Sequence, residues 1–146
     1  MTETTNSTAT ESTTTERTSA PVWPTFVYRD APAAIDFLQR AFGFVETARY
    51  GSGDVVDHAE LGWPGGGGIM LGTAGRDESV LCQQPAGSGS VYIVVDDPDA
   101  LYDRARAAGA TIVRELRDED YGSRGFTCRD PEGVFWSFGT YAGTTA

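Results

Sequence analysis

The sequence contains no lysine, one histidine and two cysteines among its 146 residues. All its basic side chains are therefore arginines, and 21 acidic residues outnumber the 11 basic ones, for a net charge of −10. A surface with this charge repels polyanions, which argues against nucleic acids and anionic membranes as partners. The charge favours a neutral or cationic ligand, although it serves solubility equally well.

Long apolar runs are also absent. No stretch is long enough to cross a membrane, and we find no apolar signal segment near the N-terminus. The two cysteines, Cys82 and Cys128, stand alone, without the spacing of a metal site. Two unpaired thiols without an export signal are typical of a reducing compartment, so we expect a cytoplasmic protein.

The N-terminal segment is rich in threonine and serine and contains almost no apolar side chains. Such a segment buries too little surface to offset the entropy lost on ordering. We therefore expect residues 1–20 to be a disordered tail and residues 21–142 to form a single folded domain.

Two stretches of this domain have the same layout when position 30 is aligned with position 96. They are "DAPAAIDFLQRAFG", residues 30–43, and "DDPDALYDRARAAG", residues 96–109. Each has an aspartate placed to cap a helix, apolar residues at helical spacing, and a glycine placed to end the helix. The alignment continues beyond the helices, where "WPGGGGIML" corresponds to "RDPEGVFWS" as a glycine-bearing turn followed by an apolar strand.

Each helix follows one strand-like run and precedes three others, which predicts an α+β fold of two tandem βαβββ modules. We place module 1 at about residues 21–72 and module 2 at about residues 90–141. The linker between them, residues 73–89, is long for a simple turn. It carries either an arm to a partner or a lid, or it is a plain solvated connection.

A sheet that carries a helix on one face turns alternate side chains to the other face, which we expect to form a concave cup. On the third strand, this alternation places His58, Glu60 and Gly62 in the cup and Ala59 and Leu61 under the helix. In the second module, the alignment of position 30 with position 96 gives Arg124, Phe126 and Cys128 as the matching cup positions. Alternation along the other strands adds further cup positions: Trp23, Thr25, Val27, Ile69, Leu71, Ser90, Tyr92, Val94, Phe135 and Ser137.

Three motifs, "YRDAPAAIDFLQRAFGF", "HAELG" and above all "YGSRGFTCRDPEGVFW", resemble the PhnB-like branch of the vicinal-oxygen-chelate superfamily. That superfamily includes glyoxalase I, bleomycin-resistance proteins and extradiol dioxygenases. The resemblance covers nearly the whole folded domain. It implies eight strands that form a cup-shaped mixed sheet, usually completed in a homodimer with the site inside the cup.

Enzymes of this superfamily commonly hold one divalent metal with four His, Gln or Glu ligands. The resemblance places these ligands near Trp23, Glu60, Ser90 and Ser137. Indole cannot ligate a metal and a neutral serine hydroxyl is a poor ligand, so only Glu60 remains. We therefore expect no catalytic metal. If a divalent metal does bind, His58 and Glu60 are the candidate ligands; otherwise they form a hydrogen-bonded pair, which could also act as a general base.

The remaining candidates each leave two interpretations open. Arg124 either acts within the cup, where it pairs with Glu60 or grips an acidic group of a ligand, or forms a salt bridge with an acid such as Asp120 or Asp130. Cys128 is expected to be a buried, inert thiol rather than a nucleophile. Four aromatic side chains either stack on a flat or cationic ligand or belong to the core: Trp23, Tyr92, Phe126 and Phe135.

The first functional hypothesis is a homodimeric binding module for a small, partly aromatic or cationic organic molecule, which it sequesters. The second is a metal-dependent lyase, isomerase or dioxygenase of the same fold, and the third is a dimer with a vestigial pocket. For the first hypothesis the predicted ligand-binding residues are Trp23, His58, Glu60, Tyr92, Arg124, Phe126, Phe135 and Ser137.

Overall fold

The computed structural model describes residues 20–144 of the chain. The predicted disordered tail, residues 1–20, lies outside this range except for its last residue. Within the described residues, no helix has the length and apolar character needed to span a membrane.

The predicted α+β fold of two tandem βαβββ modules is confirmed. The first module contains β1 (Thr25–Tyr28), α1 (Ala31–Phe42), β2 (Val45–Ser52), β3 (Val55–Gly62) and β4 (Gly68–Thr73). The second contains β5 (Ser90–Val94), α2 (Pro98–Ala107), β6 (Thr111–Asp118), β7 (Arg124–Arg129) and β8 (Phe135–Gly139). One short 3₁₀ turn, Val80–Gln83, lies in the linker.

The two modules form two mixed sheets of four strands with matching topology. Their strand orders are β1-β4-β3-β2 and β5-β8-β7-β6. In each sheet the first and last strands of the module run parallel, and the other neighbours are antiparallel. Strands β1 and β5 are therefore edge strands among the described residues.

Aspartate side chains cap both helices, as predicted, but the second cap is shifted by one residue. Asp30 accepts a hydrogen bond from the amide of Ala33 at 3.1 Å, and Gly43 ends α1 with a φ of 92°. In the second module Asp97, not Asp96, accepts from the amide of Ala100 at 3.1 Å. The structural counterpart of Asp30 is thus Asp97.

The strand register shows the same shift. Glu60 pairs with Met70 across β3 and β4, and Thr127 pairs with Ser137 across β7 and β8. Thr127, not Phe126, is therefore the counterpart of Glu60. A slip of one residue exchanges the two faces of a strand, so the alignment of position 30 with position 96 gives the wrong face of β7.

Three cup positions predicted in the second module are consequently wrong. Phe126 and Cys128 are fully buried on the helix side of the sheet. Arg124 lies on the same side, where its guanidinium donates to Asp99 of α2 at 2.8 Å and to Asp118 at 3.1 Å. The pairing of Arg124 with an acid was one predicted interpretation, but its partners are not the two acids proposed.

The prediction of which β4 residues face the cup is also wrong. Ile69 and Leu71, predicted in the cup, pair with Leu61 and Ala59 and are buried with them under the helix. Met70 takes the cup position instead, opposite Glu60. The glycine-rich turn before β4 gave no indication of which residue would face the core.

A single hydrophobic core joins the modules, and its centre is aromatic. The ring of Phe42, at the end of α1, lies 5.4 Å from Trp136 and 4.9 Å from Phe138 of the second sheet. Phe26 of β1 lies 5.6 Å from Trp136. Helix α1 therefore packs against both sheets, and β8 turns Trp136 and Phe138 inward, while Phe135 and Ser137 face outward, as predicted.

Candidate functional site

Each sheet has one face away from the helices, which we call its open face. The first open face carries Thr25, Val27, Tyr50, His58, Glu60 and Met70. The second open face carries Ser90, Tyr92, Val94, Arg114, Thr127, Arg129, Phe135 and Ser137. Of the predicted ligand-binding residues, Arg124 and Phe126 lie on neither face, and Trp23 precedes β1 and belongs to neither sheet.

On the first open face His58 and Glu60 form the hydrogen-bonded pair that the sequence suggests. His58 Nε2 lies 2.9 Å from Glu60 Oε2, with side chains 40% and 33% exposed. The ring of Tyr50, the cross-strand neighbour of His58, stacks beside the imidazole with 6.3 Å between ring centres. The pair is accessible to a ligand, and its imidazole is held against an aromatic ring.

The donor set on this face does not fit the superfamily's metal centre. Among residues 20–144, no three His, Cys, Asp or Glu side chains lie close enough together to hold a metal ion. At two of the three other implied ligand positions, the indole Nε1 of Trp23 donates to the carbonyl of Ala20, and the Ser137 hydroxyl is 2.8 Å from that of Thr127. Metal centres of this kind use at least three protein ligands, whereas His58 and Glu60 supply two.

A cavity of about 320 Å³ lies between the first open face and the linker. His58 and Met70 line it from the sheet, and Leu81 and Cys82 line it from the linker. Cys82 is buried, so the linker is packed over the sheet. Val80 and Leu81 beside it are exposed, so the lid and the solvated connection both remain predictions.

Arg76 fixes the linker to the sheet. Its guanidinium donates to the carbonyl of Asp57 on β3 at 2.9 Å and to the carboxylate of Glu78 at 2.9 Å. Its backbone carbonyl accepts from the side chain of Gln83 at 3.3 Å. The guanidinium side chain is only 14% exposed, so these contacts hold the first turn of the linker against β3.

The second open face is more exposed and combines aromatic with polar groups. Tyr92 and Phe135 are 47% and 41% exposed although they lie within strands. The Tyr92 hydroxyl donates to the carbonyl of Tyr141 at 2.7 Å. Beside the two rings the hydroxyls of Thr127 and Ser137 share a hydrogen bond of 2.8 Å, since Ser137 pairs with Tyr92 and follows Phe135 by two residues along β8.

Arginines border the hydroxyl pair of the second open face. The guanidinium of Arg129 lies 5.2 Å from the ring centre of Phe135. Arg114, the cross-strand neighbour of Thr127, shares the carboxylate of Glu119 with Arg117. The hydrogen bond from Arg117 is the main cause that lowers the pKa of the Glu119 carboxyl, and Arg114 adds to it.

Sequence reasoning missed Thr127 and Arg129 because the alignment of position 30 with position 96 assigned them to the core side. The signal that finds them is the second helix cap, since aligning Asp30 with Asp97 rather than Asp96 brings both residues to the open face.

Cys128, between Thr127 and Arg129, is buried, and burial together with the charge of Asp130 raises the pKa of its thiol to about 12. Such a thiol is protonated at neutral pH, which fits the expected inert role.

Comparison with known proteins supports the family. The sequence model of the Glyoxalase/Bleomycin resistance protein/Dioxygenase superfamily matches residues 21–138. An uncharacterized protein of Mycobacterium bovis is 36% identical over 125 residues, which cover 80% of this chain and 80% of that protein. One from Mycobacterium tuberculosis is also 36% identical over 125 residues, covering 80% of this chain and 71% of the relative.

Solved structures agree with the sequence comparisons. TioX from Micromonospora sp. ML1 is 34% identical with a TM-score of 0.72, over 83% of this chain and 98% of that one. An integron cassette protein from the mobile metagenome of V. cholerae is 21% identical with a TM-score of 0.66, over 87% of this chain and 98% of that one, and shows the fold alone. The chain therefore belongs to the glyoxalase/bleomycin resistance protein/dioxygenase superfamily.

Proposed function

We propose that this protein binds a small, partly aromatic organic molecule between open faces of its sheets, without a catalytic metal. The observation that carries the proposal is the second open face, where Tyr92 and Phe135 stand exposed beside the Thr127 and Ser137 hydroxyls. Pockets that bind organic molecules combine aromatic walls with a few polar groups in this way. Sequestration of such a compound is the form of activity that we favour.

The first open face supplies a different set of contacts to the same ligand. His58 and Glu60 present a hydrogen-bonded imidazole and carboxylate, and the cavity beneath the linker has room for part of a small molecule. The "YGSRGFTCRDPEGVFW" motif supports placing the protein in the PhnB-like branch of the superfamily. TioX, at 34% identity, supports membership of the wider glyoxalase/bleomycin resistance protein/dioxygenase superfamily.

We further propose that the site is completed in a homodimer, with the first open face of one subunit opposite the second open face of the other. The first face and its linker carry Asp57, Glu60 and Glu78 against Arg76 alone, so they are net acidic. The second face is net basic, because Arg114, Arg117 and Arg129 are opposed there by Glu119. Opposed charges of this kind favour one orientation of two identical chains.

The homodimer makes a direct prediction. Sedimentation velocity should give the mass of two chains, and replacing Val94, which is exposed on the second open face, by aspartate should shift the equilibrium toward one chain. The matched control is Val94→Thr, which keeps the size and β-branching of the side chain without adding a charge. A single-chain mass for the unmodified protein at all concentrations would contradict the dimer.

Calorimetric titration with aromatic probes of one shape tests the binding function: 2-naphthamide, 2-naphthoate and 2-naphthylmethylammonium. Phe135→Ala should weaken the binding of the best probe about tenfold, because it removes one stacking surface. Tyr121→Ala should leave binding unchanged, since this exposed tyrosine lies in the turn between β6 and β7. If none of the probes binds, the protein is better described as a dimer with a vestigial pocket.

Metal analysis separates the binding function from the enzymatic alternative. The protein purified without chelator should contain far less than one equivalent of metal. A near-stoichiometric metal that is lost in Glu60→Gln would contradict this, and would favour a metal-dependent lyase, isomerase or dioxygenase that uses His58 and Glu60.

A further inference from the structure

Arg129 differs from the other arginines in the strands. Arg49, Arg114, Arg117 and Arg124 each have a carboxylate in direct contact with the guanidinium. Among the described residues no carboxylate forms an ion pair with Arg129, and its Nε has only a 3.5 Å contact with the carbonyl of Gly133. In a chain whose acidic side chains outnumber its basic ones, a strand arginine without an acidic partner is unexpected.

The position of Arg129 is fixed by its neighbours on the second open face. Its cross-strand partner is Phe135, and the next pair along the same strands is Thr127 with Ser137. These four side chains form a block, because residues two apart on a strand share a face about 7 Å apart and paired residues lie about 5 Å apart. The ring of Phe135 lies 5.2 Å from the guanidinium, and among the described residues only Nε has a hydrogen-bond contact, so the terminal nitrogens can donate to a ligand.

The hydroxyl pair supplies the second half of the block. Thr127 Oγ1 and Ser137 Oγ are 2.8 Å apart, so one hydroxyl donates to the other. The accepting hydroxyl then still has its own hydrogen to donate. A ligand group above the block can therefore receive charge-assisted hydrogen bonds from Arg129 and a neutral one from a hydroxyl.

The charge around the block selects an anion. Arg114 stands beside Thr127 on the neighbouring strand, and Arg114 and Arg117 share the single carboxylate of Glu119. With Arg129, the second open face has an excess of positive charge on a protein whose net charge is −10. An acidic group of a ligand is therefore attracted to this face although the protein as a whole repels anions.

We infer that the ligand of the proposed binding function carries a carboxylate or a similar oxyanion, which Arg129 binds together with the hydroxyls of Thr127 and Ser137. The aromatic part of the ligand then lies toward Tyr92, the neighbour of Ser137 on the adjoining strand β5. A flat aromatic acid fits this order of groups across the sheet. The inference rests on the proposed function and narrows its ligand to an acid.

The three naphthalene probes test the inference, because they differ in charge and hardly in shape. Calorimetric titration should show that 2-naphthoate binds about tenfold more tightly than 2-naphthamide, and that 2-naphthylmethylammonium binds most weakly. Arg129→Gln should abolish the preference for the acid while the amide binds as before. Arg129→Lys should keep part of the preference, since it retains the charge and loses the planar fork.

Arg106→Gln is the matched control. The guanidinium of Arg106 lies 5.3 Å from the ring of Tyr102 on α2, so it has the same kind of aromatic contact away from the open face. This variant should bind all three probes as the unmodified protein does. Equal binding of naphthoate and naphthamide, tightest binding of the ammonium probe, or an unchanged preference in Arg129→Gln would overturn the inference while leaving the binding function intact. Failure of all three probes to bind would overturn both.

Discussion

Replacing Asp130 by alanine should lower the free energy of unfolding by about 4 kcal/mol. Asp130 is 5% exposed, and its carboxylate accepts hydrogen bonds from five donors. Two are side chains, the Tyr28 hydroxyl at 2.6 Å and the Trp136 indole at 3.1 Å. The others are backbone amides of the turn between β7 and β8, at 2.9 to 3.1 Å.

The effect is large because the alanine variant leaves buried donors without acceptors. Each such donor costs about 1–3 kcal/mol when water cannot reach it. Burial, reinforced by the charge of Asp130, raises the pKa of the Tyr28 hydroxyl, so this hydroxyl remains a neutral donor to the carboxylate at physiological pH. Since Tyr28 belongs to β1 and Asp130 follows β7, the contact also joins the two modules.

Urea denaturation followed by circular dichroism measures the loss. Tyr28→Phe is the matched variant, because it removes one donor and leaves the carboxylate in place, and it should cost about 1 kcal/mol. Asp130→Asn should fall between the two, since its amide keeps one oxygen as an acceptor. A loss for Asp130→Ala no larger than for Tyr28→Phe would show that the backbone donors of the turn find water instead.

The modular fold could be predicted from the sequence because its signals are local. An aspartate cap, apolar residues at helical spacing and a closing glycine follow one another within a single short segment of each module, and the structure has both helices there. Alternation along β3 also places His58 and Glu60 on the face opposite Ala59 and Leu61. In these segments each prediction depends only on residues that are close together in the chain.

The second half of the site could not be predicted with the same certainty, because strand register depends on pairing between distant residues. The sequence "DDPD" offers two aspartates as the cap, and the choice between Asp96 and Asp97 shifts the alignment of the two modules by one position. That single shift moves Phe126 from the open face to the core and brings Thr127 out. No local sequence pattern predicts the ion pairs of Arg124 with Asp99 and Asp118.

Removing the Trp136 side chain should also cause a large loss of stability, comparable to that of Asp130→Ala. Trp136→Ala should lower the free energy of unfolding by about 4 kcal/mol, the range found when a large aromatic side chain is removed from a core. The side chain is fully buried, and its ring lies within 5.6 Å of the rings of Phe26, Phe42 and Phe44. Its indole also donates to Asp130, so the variant removes both packing and a hydrogen bond.

Trp136 also matters for the proposed site, because it alternates along β8 with Phe135 and Ser137, which face outward. Trp136→Phe keeps an aromatic side chain in the core, so urea denaturation should show a smaller loss than for the alanine variant, and the binding of 2-naphthoate should persist. Trp63→Ala is the control. Trp63 stacks on Phe138 but is only partly buried, so this substitution should lower the free energy of unfolding by about 1–2 kcal/mol. If Trp136→Ala costs no more than Trp63→Ala, the packing of α1 on the second sheet does not depend on this ring. If Trp136→Phe folds stably but no longer binds the probe, the outward position of Phe135 and Ser137 requires the indole itself, and its hydrogen bond to Asp130 then becomes the contact that orients β8.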